Sequence, residues 1–401
     1  MKPLFFTAVI VFAGYLASAQ TATSVQNGDF LNPLTWNCTC IPLPGYNITV
    51  NHTVTLDTNF WVPSGSLNIG TSGALIEDAS QRGISVTGGT FTNNGTFIIS
   101  RFATTGGTVT NNDSMVIKIT FYNSTSLTNS KFIMDVDSFY NEGTFINSAG
   151  SYFMADNFWN NGNATNSGYV ESQNFLNDLS FMNLATLEAT DFANYGTFDN
   201  MDHIHGVYNF YNNGRFTNCS ACQVHISNNF LNSDSSLFDA VTVNDGFIDV
   251  SYDWLNMDTV YGSSTGVFCV GDESTNSGYM TGNFSFCDVN PYNPPMLIDY
   301  NTGYFDTNIT DNNCMTTCMV GINEGVVSAV DNPDGRITLF DVTGRMVFST
   351  DNRSGNLSNG SEITAYFQNR LHLPAGIYYY RITGSTWFLN KSSRVSLFLI
   401  K

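Results

Sequence analysis

Phe139-Tyr-Asn141-Glu-Gly143-Thr-Phe145-Ile-Asn147 is the clearest copy of a unit, Phe-x-Asn-x-Gly-x-Phe-x-Asn, that recurs along this chain. A second full copy occupies residues 192–200, and weaker copies occur between and around the two. The asparagines form two series that advance by 17 to 20 residues: Asn93, Asn111, Asn129, Asn147, Asn166, Asn183, Asn200 and Asn218 in one, and Asn123, Asn141, Asn160, Asn177, Asn194, Asn212 and Asn232 in the other. Because a constant step relates equivalent residues of stacked coils, the sequence predicts an all-β fold, a parallel β-helix or solenoid with about 18 residues per coil.

The spacing of the two series predicts the cross-section of each coil. They lie 6 residues apart on one side and 11 to 14 on the other, which three sides of about six residues satisfy. Phenylalanines then stack inside, and asparagines stack at the corners, where they tolerate positive φ and hydrogen-bond along the stack. We therefore assign the asparagines a structural role and expect functional residues on the third side, where asparagines are few.

The third side contains a candidate metal site. Strand alternation places Glu188, His203, His205 and His225 on the solvent side of neighbouring coils, together with Glu171. Imidazoles and a carboxylate are suitable ligands for zinc or copper, so the first four residues are the predicted metal ligands. The alternative interpretation is a polar, solvated face.

Charge divides the chain into two parts. Residues 20–325 contain 5 basic and 28 acidic residues, a net charge of −23, whereas residues 326–401 contain 8 basic and 5 acidic residues, a net charge of +3. The strongly acidic part at residues 20–325 repels phosphate backbones, which argues against nucleic acid as a binding partner. Cations and neutral glycans are the partners that this charge favours. No cofactor is expected, with structural calcium at Asp135-Val-Asp137 or Asp272-Glu273 as the alternative.

The amino-terminal segment predicts export. Met1-Lys2-Pro3 is a short basic head, residues 4–16 are apolar, and Ala17-Ser18-Ala19 fits a cleavage site, so residues 1–19 are expected to be a signal peptide. The apolar stretch is shorter than the roughly 20 residues that cross a bilayer, and no transmembrane segment is expected. The predicted solenoid covers residues 20–287, with 22–80 as an amino-terminal cap and first coils, and a proline-containing linker covers 288–325.

The eight cysteines are expected to form disulfides, because export takes the chain to an oxidising compartment. Three close pairs also have spacings found in zinc and redox motifs, the less favoured alternative. The remaining two cysteines are 18 residues apart, which places them in adjacent coils within disulfide reach if they point the same way. The candidates are Cys38 and Cys40, Cys219 and Cys222, Cys314 and Cys318, and Cys269 and Cys287.

Residues 326–401 resemble the type A C-terminal sorting domain of type IX secretion cargo in Bacteroidetes. The resemblance rests on Asn332-Pro333, on Ile337–Val347 with Asp341, Gly344 and Arg345, on Leu373–Ile382 with Gly376 and Tyr378, and on the basic, apolar ending 391–401. The segment around Asn332 is shorter than usual. The resemblance implies a small β-sandwich, recognition by the type IX secretion machinery and its sortase, and release or attachment at the outer cell surface. Residues 35–57 resemble the start of adhesin-like β-helical proteins of the same bacteria.

Together these features favour a non-catalytic, adhesin-like surface protein that binds glycans or other surfaces. Exposed aromatic residues such as Trp159, Tyr195 and Tyr211 are candidates for stacking on sugars, unless they belong to the core. The alternative is a carbohydrate-active enzyme, a polysaccharide lyase or hydrolase, on the same scaffold. Lyase chemistry needs a basic residue that the solenoid hardly offers, whereas 28 acidic residues leave a catalytic carboxylate pair open.

Overall fold

The computed structural model describes residues 20–233, 239–289 and 297–311, and the backbone of four strands between residues 335 and 400. The chain divides into two compact units between residues 322 and 323. Several predicted features lie outside the described residues: the signal peptide at 1–19, Cys314, Cys318, Asn332, Pro333, Gly344 and Arg345.

The first unit is a parallel β-solenoid of about 12 turns with about 19 residues per turn, which confirms the predicted fold. Each coil contributes one strand segment to each of three parallel sheets. In a central coil, residues 126–129 belong to face 1, residues 132–136 to face 2 and residues 138–141 to face 3. Register partners in the next coil are 18 residues further on, at Thr144–Asn147 for face 1.

The strands are short at both ends of the solenoid and longer in the middle, where many turn a corner between faces. The first coils contain Thr21–Thr23, Gly28–Asp29, Asn47–Val50, Thr53–Leu56, Phe60–Val62, Ser66–Ile69 and Ala74–Glu77. The long strands are Gly83–Asn93, Thr96–Asn111, Ser114–Asn123, Phe132–Asn141, Tyr152–Asn160, Tyr169–Asn177, Thr186–Asn194, His203–Asn212 and Gln223–Asn232. They alternate with four-residue strands of face 1: Ser126–Asn129, Thr144–Asn147, Asn163–Asn166, Ser180–Asn183, Thr197–Asn200 and Arg215–Asn218. The last coils contain Val241–Asn244, Phe247–Val250, Trp254–Asn256, Thr259–Gly262, Val267–Val270, Ser274–Asn276, Tyr279–Gly282, Ser285–Asp288, Tyr300–Asn301 and Tyr304–Phe305.

The core is a stack of aromatic rings. Phe192, for example, is fully buried and lies between Phe175 at 5.1 Å and Phe210 at 4.3 Å, measured between ring centroids. Alternation along each strand turns these rings inward, and the constant register places each ring above its equivalent. Aromatic stacking over successive coils therefore supplies much of the buried apolar area.

The asparagine ladders are confirmed, but the conformational reason given for them is wrong. The ladder asparagines are the last residues of their strands, their side chains point inward, and they are fully buried. Outside glycine, positive φ occurs in the described residues at Thr39, Gln81 and Asp135. The ladders thus depend on side-chain hydrogen bonds between coils rather than on left-handed backbone.

The amino-terminal end is closed by an irregular segment that follows the first strands. Thr21–Thr23 already pairs in parallel with Asn47–Val50, so the stacked coils begin there. A 3₁₀ helix at Pro33–Thr35 leads into Trp36, which is fully buried and donates its indole N–H to the Phe30 carbonyl at 2.8 Å. In the described residues that 3₁₀ turn is the only helix, and none there has the length and apolar character to cross a membrane.

The carboxyl-terminal coils extend beyond the predicted boundary at residue 287. Tyr300–Asn301 and Tyr304–Phe305 pair in parallel with the preceding coil, inside the segment 288–325 that was predicted to be a linker. The Asn276 amide donates to the Asn301 side-chain oxygen at 2.8 Å, so one ladder continues across the prolines. The ladder therefore keeps the register of the coils at residues 300–305, on the far side of the proline-containing segment.

The predicted pairs Cys38–Cys40 and Cys219–Cys222 form disulfides. Cys269 and Cys287 are register partners on adjacent coils of face 2, as predicted. Both are buried and disulfide-bonded.

The second unit contains one antiparallel sheet of four strands in the described backbone. The order across the sheet is Met346–Asn352, Gly335–Asp341, Gly376–Thr383 and Val395–Ile400. Asp341 pairs with Tyr378 in this register, and Gly376 opens the third strand. The sandwich and the sorting role stay predictions.

Candidate functional site

Face 2 brings four of the predicted third-side residues into one line. Glu171, Glu188 and His205 are consecutive register partners, and His225 and Asp249 continue the line on the next two coils. We call these five residues the carboxylate–histidine column. Their neighbours Val170, Leu187 and Ile204 are buried, which confirms the predicted alternation on this side.

Tyrosines that the sequence reasoning missed hold the two glutamates. The Tyr152 hydroxyl donates to Glu171, and the Tyr169 hydroxyl donates to Glu188. The two tyrosine rings stack at 5.3 Å between centroids. Burial, together with the adjacent carboxylates, raises the pKa of both tyrosines far above the usual range, so both remain donors. Burial also raises the pKa of Glu171, against the hydrogen bond from Tyr152, and the charge of Glu188 adds to the increase.

The histidines have carboxylate partners of their own. The His225 Nδ1 atom lies 2.7 Å from Asp249 Oδ2, and His203 contacts the preceding Asp202. His205 Nδ1 is 3.9 Å from Glu188 Oε2. Burial lowers the pKa of His205; the nearby Glu188 opposes this, and His203 and His225 reinforce it.

The predicted metal ligands are therefore neighbours, but each histidine is close to a carboxylate of its own. Glu188, His205 and His225 lie in the column, whereas His203 lies beside it, in register with Thr186. Among the residues that the structure describes, no three histidine, cysteine or acidic side chains are grouped as a metal site. The metal site stays a prediction.

The backbone bends between His205 and Val207 at Gly206, which has a φ of +75° and no room for a Cβ beside the Glu188 side chain.

Face 3 contains a second, apolar column that the sequence reasoning found only in part. Its members occupy the position between the inward aromatic residue and the ladder asparagine, so alternation turns them outward. Tyr140 and Trp159 are half-buried, with their ring centroids 4.4 Å apart. In register from coil to coil, the aromatic column consists of Tyr122, Tyr140, Trp159, Leu176, Ala193, Tyr211, Leu231 and Leu255.

The three aromatic residues proposed for sugar contact have different locations. Trp159 and Tyr211 belong to the aromatic column, and Tyr211 is 38% exposed. Tyr195 is 40% exposed but lies in the turn after Asn194, off the face. The signal for the column was present in the sequence, because every member lies directly before a ladder asparagine.

A column of polar side chains runs beside the aromatic column on face 3. The Asn174 amide donates to Asn157 Oδ1 at 2.9 Å, and the Asn209 amide donates to Asp191 Oδ1 at 3.0 Å. These residues are register partners through successive coils. Face 3 thus presents an apolar strip beside a strip of amide and carboxylate groups.

An open cleft of about 740 Å³ lies at the amino-terminal end of face 3. The segment at residues 41–44 forms one side, and outward residues of the first coils form the floor. Trp61 lines this cleft and is 53% exposed, and Arg101 is exposed at its edge.

No protein-family model, no curated protein and no solved structure matches this chain.

Proposed function

We propose that this chain is a non-catalytic adhesin, exported by the type IX secretion system and displayed on or released from the outer cell surface, that binds extended glycans along face 3. The aromatic column is the observation that carries the glycan-binding part. The predicted signal peptide and the resemblance of residues 326–401 to a sorting domain support the export part.

The chemistry of face 3 suits a neutral polysaccharide. Aromatic side chains provide apolar surface at little conformational cost, which is why they are enriched in binding sites. The amides of Asn157 and Asn174 supply donors and acceptors for hydroxyl groups. Coils repeat every ~4.8 Å, so both strips extend along the solenoid as a long, regular track.

Binding to insoluble polysaccharides and to a glycan array tests this proposal. Trp159→Ala and Tyr140→Ala should each weaken binding about tenfold or more, because truncation of a central interface aromatic costs ~2 kcal/mol and ~1.4 kcal/mol is tenfold in affinity. Tyr261→Ala is the matched control, since Tyr261 is 48% exposed on face 1. Equal loss in all three variants, or in none, would refute face 3 as the binding surface.

Export is tested separately. In a bacterium with a type IX system, the full chain should reach the surface or medium, and deletion of residues 326–401 should leave it in the periplasm. Surface delivery of the truncated chain would contradict the sorting role.

A carbohydrate-active enzyme is the second candidate, and one observation favours it. Glu171 and Glu188 are register partners on adjacent coils, so two carboxylates project from neighbouring positions of one face, as the paired acids of glycosidases do. The raised pKa of Glu171 suits a general acid. The pair stands on an outward face, whereas the cleft of about 740 Å³ lies elsewhere, and this favours the adhesin. Release of reducing ends that Glu171→Gln abolishes would establish the enzyme instead.

A further inference from the structure

We propose that the cleft at the amino-terminal end of face 3 binds an acidic sugar residue, a uronic acid, with Trp61 against the ring and Arg101 against the carboxylate. This inference rests on the proposed glycan-binding function, to which it adds a distinct site and a ligand class. The site is continuous with the aromatic column, because Tyr122 belongs to both.

The cleft arises from side-chain size along one line of register partners. Trp61 is followed by Ser85, then Ala103, then Tyr122 on successive coils. Two small residues between two large aromatic ones leave a notch, and three coil steps of ~4.8 Å separate the backbones of the two aromatic residues by about 14 Å. The hydroxyl of Tyr122 donates to Glu142, which fixes one end wall.

The lining suits a sugar ring. Trp61 contributes an exposed indole, and Ile41 and Leu43 of the cap, 39% and 55% exposed, add further apolar surface to the lining. Thr58 and Gln81 line the rim with groups that hydrogen-bond hydroxyls. An acyl chain would be poorly buried here, because the cleft is an open trough; a hydroxylated pyranose ring is the better occupant.

Charge selects the acidic sugar. The solenoid part of the chain has only five basic residues, and Arg101 is the one that lines the cleft. Arg82 pairs with Asp78 at 2.8 Å and Lys118 pairs with Glu77 at 2.9 Å, whereas Arg101 has no ion pair with a described residue. Its planar guanidinium can therefore bind a ligand carboxylate in two parallel hydrogen bonds. In a body of net charge −23, a guanidinium without an ion pair to a described residue makes the cleft a point that attracts anions, on a surface that otherwise repels them.

Calorimetry with the full chain tests the inference. The probes are a tetrasaccharide that contains glucuronic acid and the same tetrasaccharide with its carboxyl groups reduced to alcohols. The acidic probe should bind at least tenfold more tightly than the reduced one. Arg101→Gln should remove this preference, Trp61→Ala should weaken both probes, and Ala103→Leu, which fills the floor, should block both. Circular dichroism checks that each variant keeps the β-solenoid.

Tyr261→Ala is the matched control, because it truncates an exposed aromatic residue of face 1, outside both the cleft and the aromatic column; it should bind both probes within about twofold of the wild type. Equal affinity for the two probes, or unchanged binding by Arg101→Gln or Trp61→Ala, overturns the inference. If Trp159→Ala loses polysaccharide binding and the wild type does not bind the tetrasaccharide, the cleft is rejected as a binding site and face 3 is retained as one. Binding of the acidic probe as described, with no effect of Trp159→Ala on polysaccharides, would reject face 3 and retain the cleft.

Discussion

Replacement of a single buried ladder asparagine, Asn177→Ala, should destabilise the solenoid strongly. Asn177 is fully buried and makes three side-chain hydrogen bonds. It accepts from the Asn160 amide at 2.7 Å and donates to Asn194 Oδ1 at 2.8 Å. It also donates to the Thr197 carbonyl at 3.0 Å. Alanine removes all three bonds and interrupts the ladder between two coils.

The magnitude follows from which partners lose their bonds. The hydrogen bonds with Asn160 and Thr197 contribute ~1 kcal/mol each, about 2 kcal/mol together. Asn160 keeps other acceptors, the carbonyls of Gly162 and Ser180, so its amide stays satisfied. The buried oxygen of Asn194 loses the amide of Asn177, and an unsatisfied buried acceptor costs ~1–3 kcal/mol. We expect a loss of about 3–5 kcal/mol in the free energy of unfolding.

Asn174→Ala is the matched control. Asn174 lies three residues earlier in the same strand and also donates to an asparagine, Asn157, at 2.9 Å, but it is exposed. Its removal should change stability by no more than about 0.5 kcal/mol. Urea unfolding followed by circular dichroism measures both variants. Hydrogen exchange of the amides in adjacent coils detects local opening, because long repeat arrays do not always unfold in one step.

Equal unfolding midpoints and equal exchange rates for Asn177→Ala, Asn174→Ala and the wild type would refute the reasoning. The ladders would then be a by-product of coil register, and the phenylalanine stack alone would hold the coils together.

Three further changes have outcomes set by named contacts. Phe192→Ala should cost about 3–5 kcal/mol in urea unfolding, because it empties the middle of the ring stack, whereas Phe192→Leu should cost less. Glu77→Ala should cost about 2–4 kcal/mol in the free energy of unfolding, since the buried carboxylate accepts from both the backbone N–H and the hydroxyl of Ser100. Lys118→Ala removes the hydrogen bond from Lys118 to the same carboxylate and should cost about 1 kcal/mol. Equal losses in the two variants would contradict this difference. Because burial lowers the pKa of His205 below its ordinary value of 6.5, its contribution to stability is present above pH 6.5 and is lost as the pH falls through the folded-state pKa. Thermal melting of His205→Gln should therefore depend less on pH below 6.5 than the wild type, and identical profiles would contradict the assignment.

The repeat was readable because every coil obeys the same constraints. Phe175-Leu-Asn177 and Phe192-Ala-Asn194 have the same alternation and the same step, so the coil, the inward rings and the ladders followed from sequence. The orientation of the asparagines did not. A residue at a turn suggests positive φ, but burial and the bonds between coils explain Asn177 instead.

The candidate sites were predicted less completely, because they depend on which outward residues become neighbours. His205 and Glu188 could be placed on one face, whereas the tyrosine that holds each glutamate comes from the coil before it. The notch between Trp61 and Tyr122 depends on residues separated by some sixty positions, and no local pattern joins them.

The sequence by itself determined the solenoid, its three-sided coil and its two ladders, because a constant step places equivalent buried residues in register on successive coils. The tertiary structure decided what the outer surface consists of. It aligned the position before each ladder asparagine into an aromatic column, continued that ladder past the prolines to Asn301, and left Arg101 beside Trp61 in a cleft. Stacking brings together residues one coil apart. In this chain the chemistry of a surface therefore depends on register partners on adjacent coils rather than on residues adjacent in sequence.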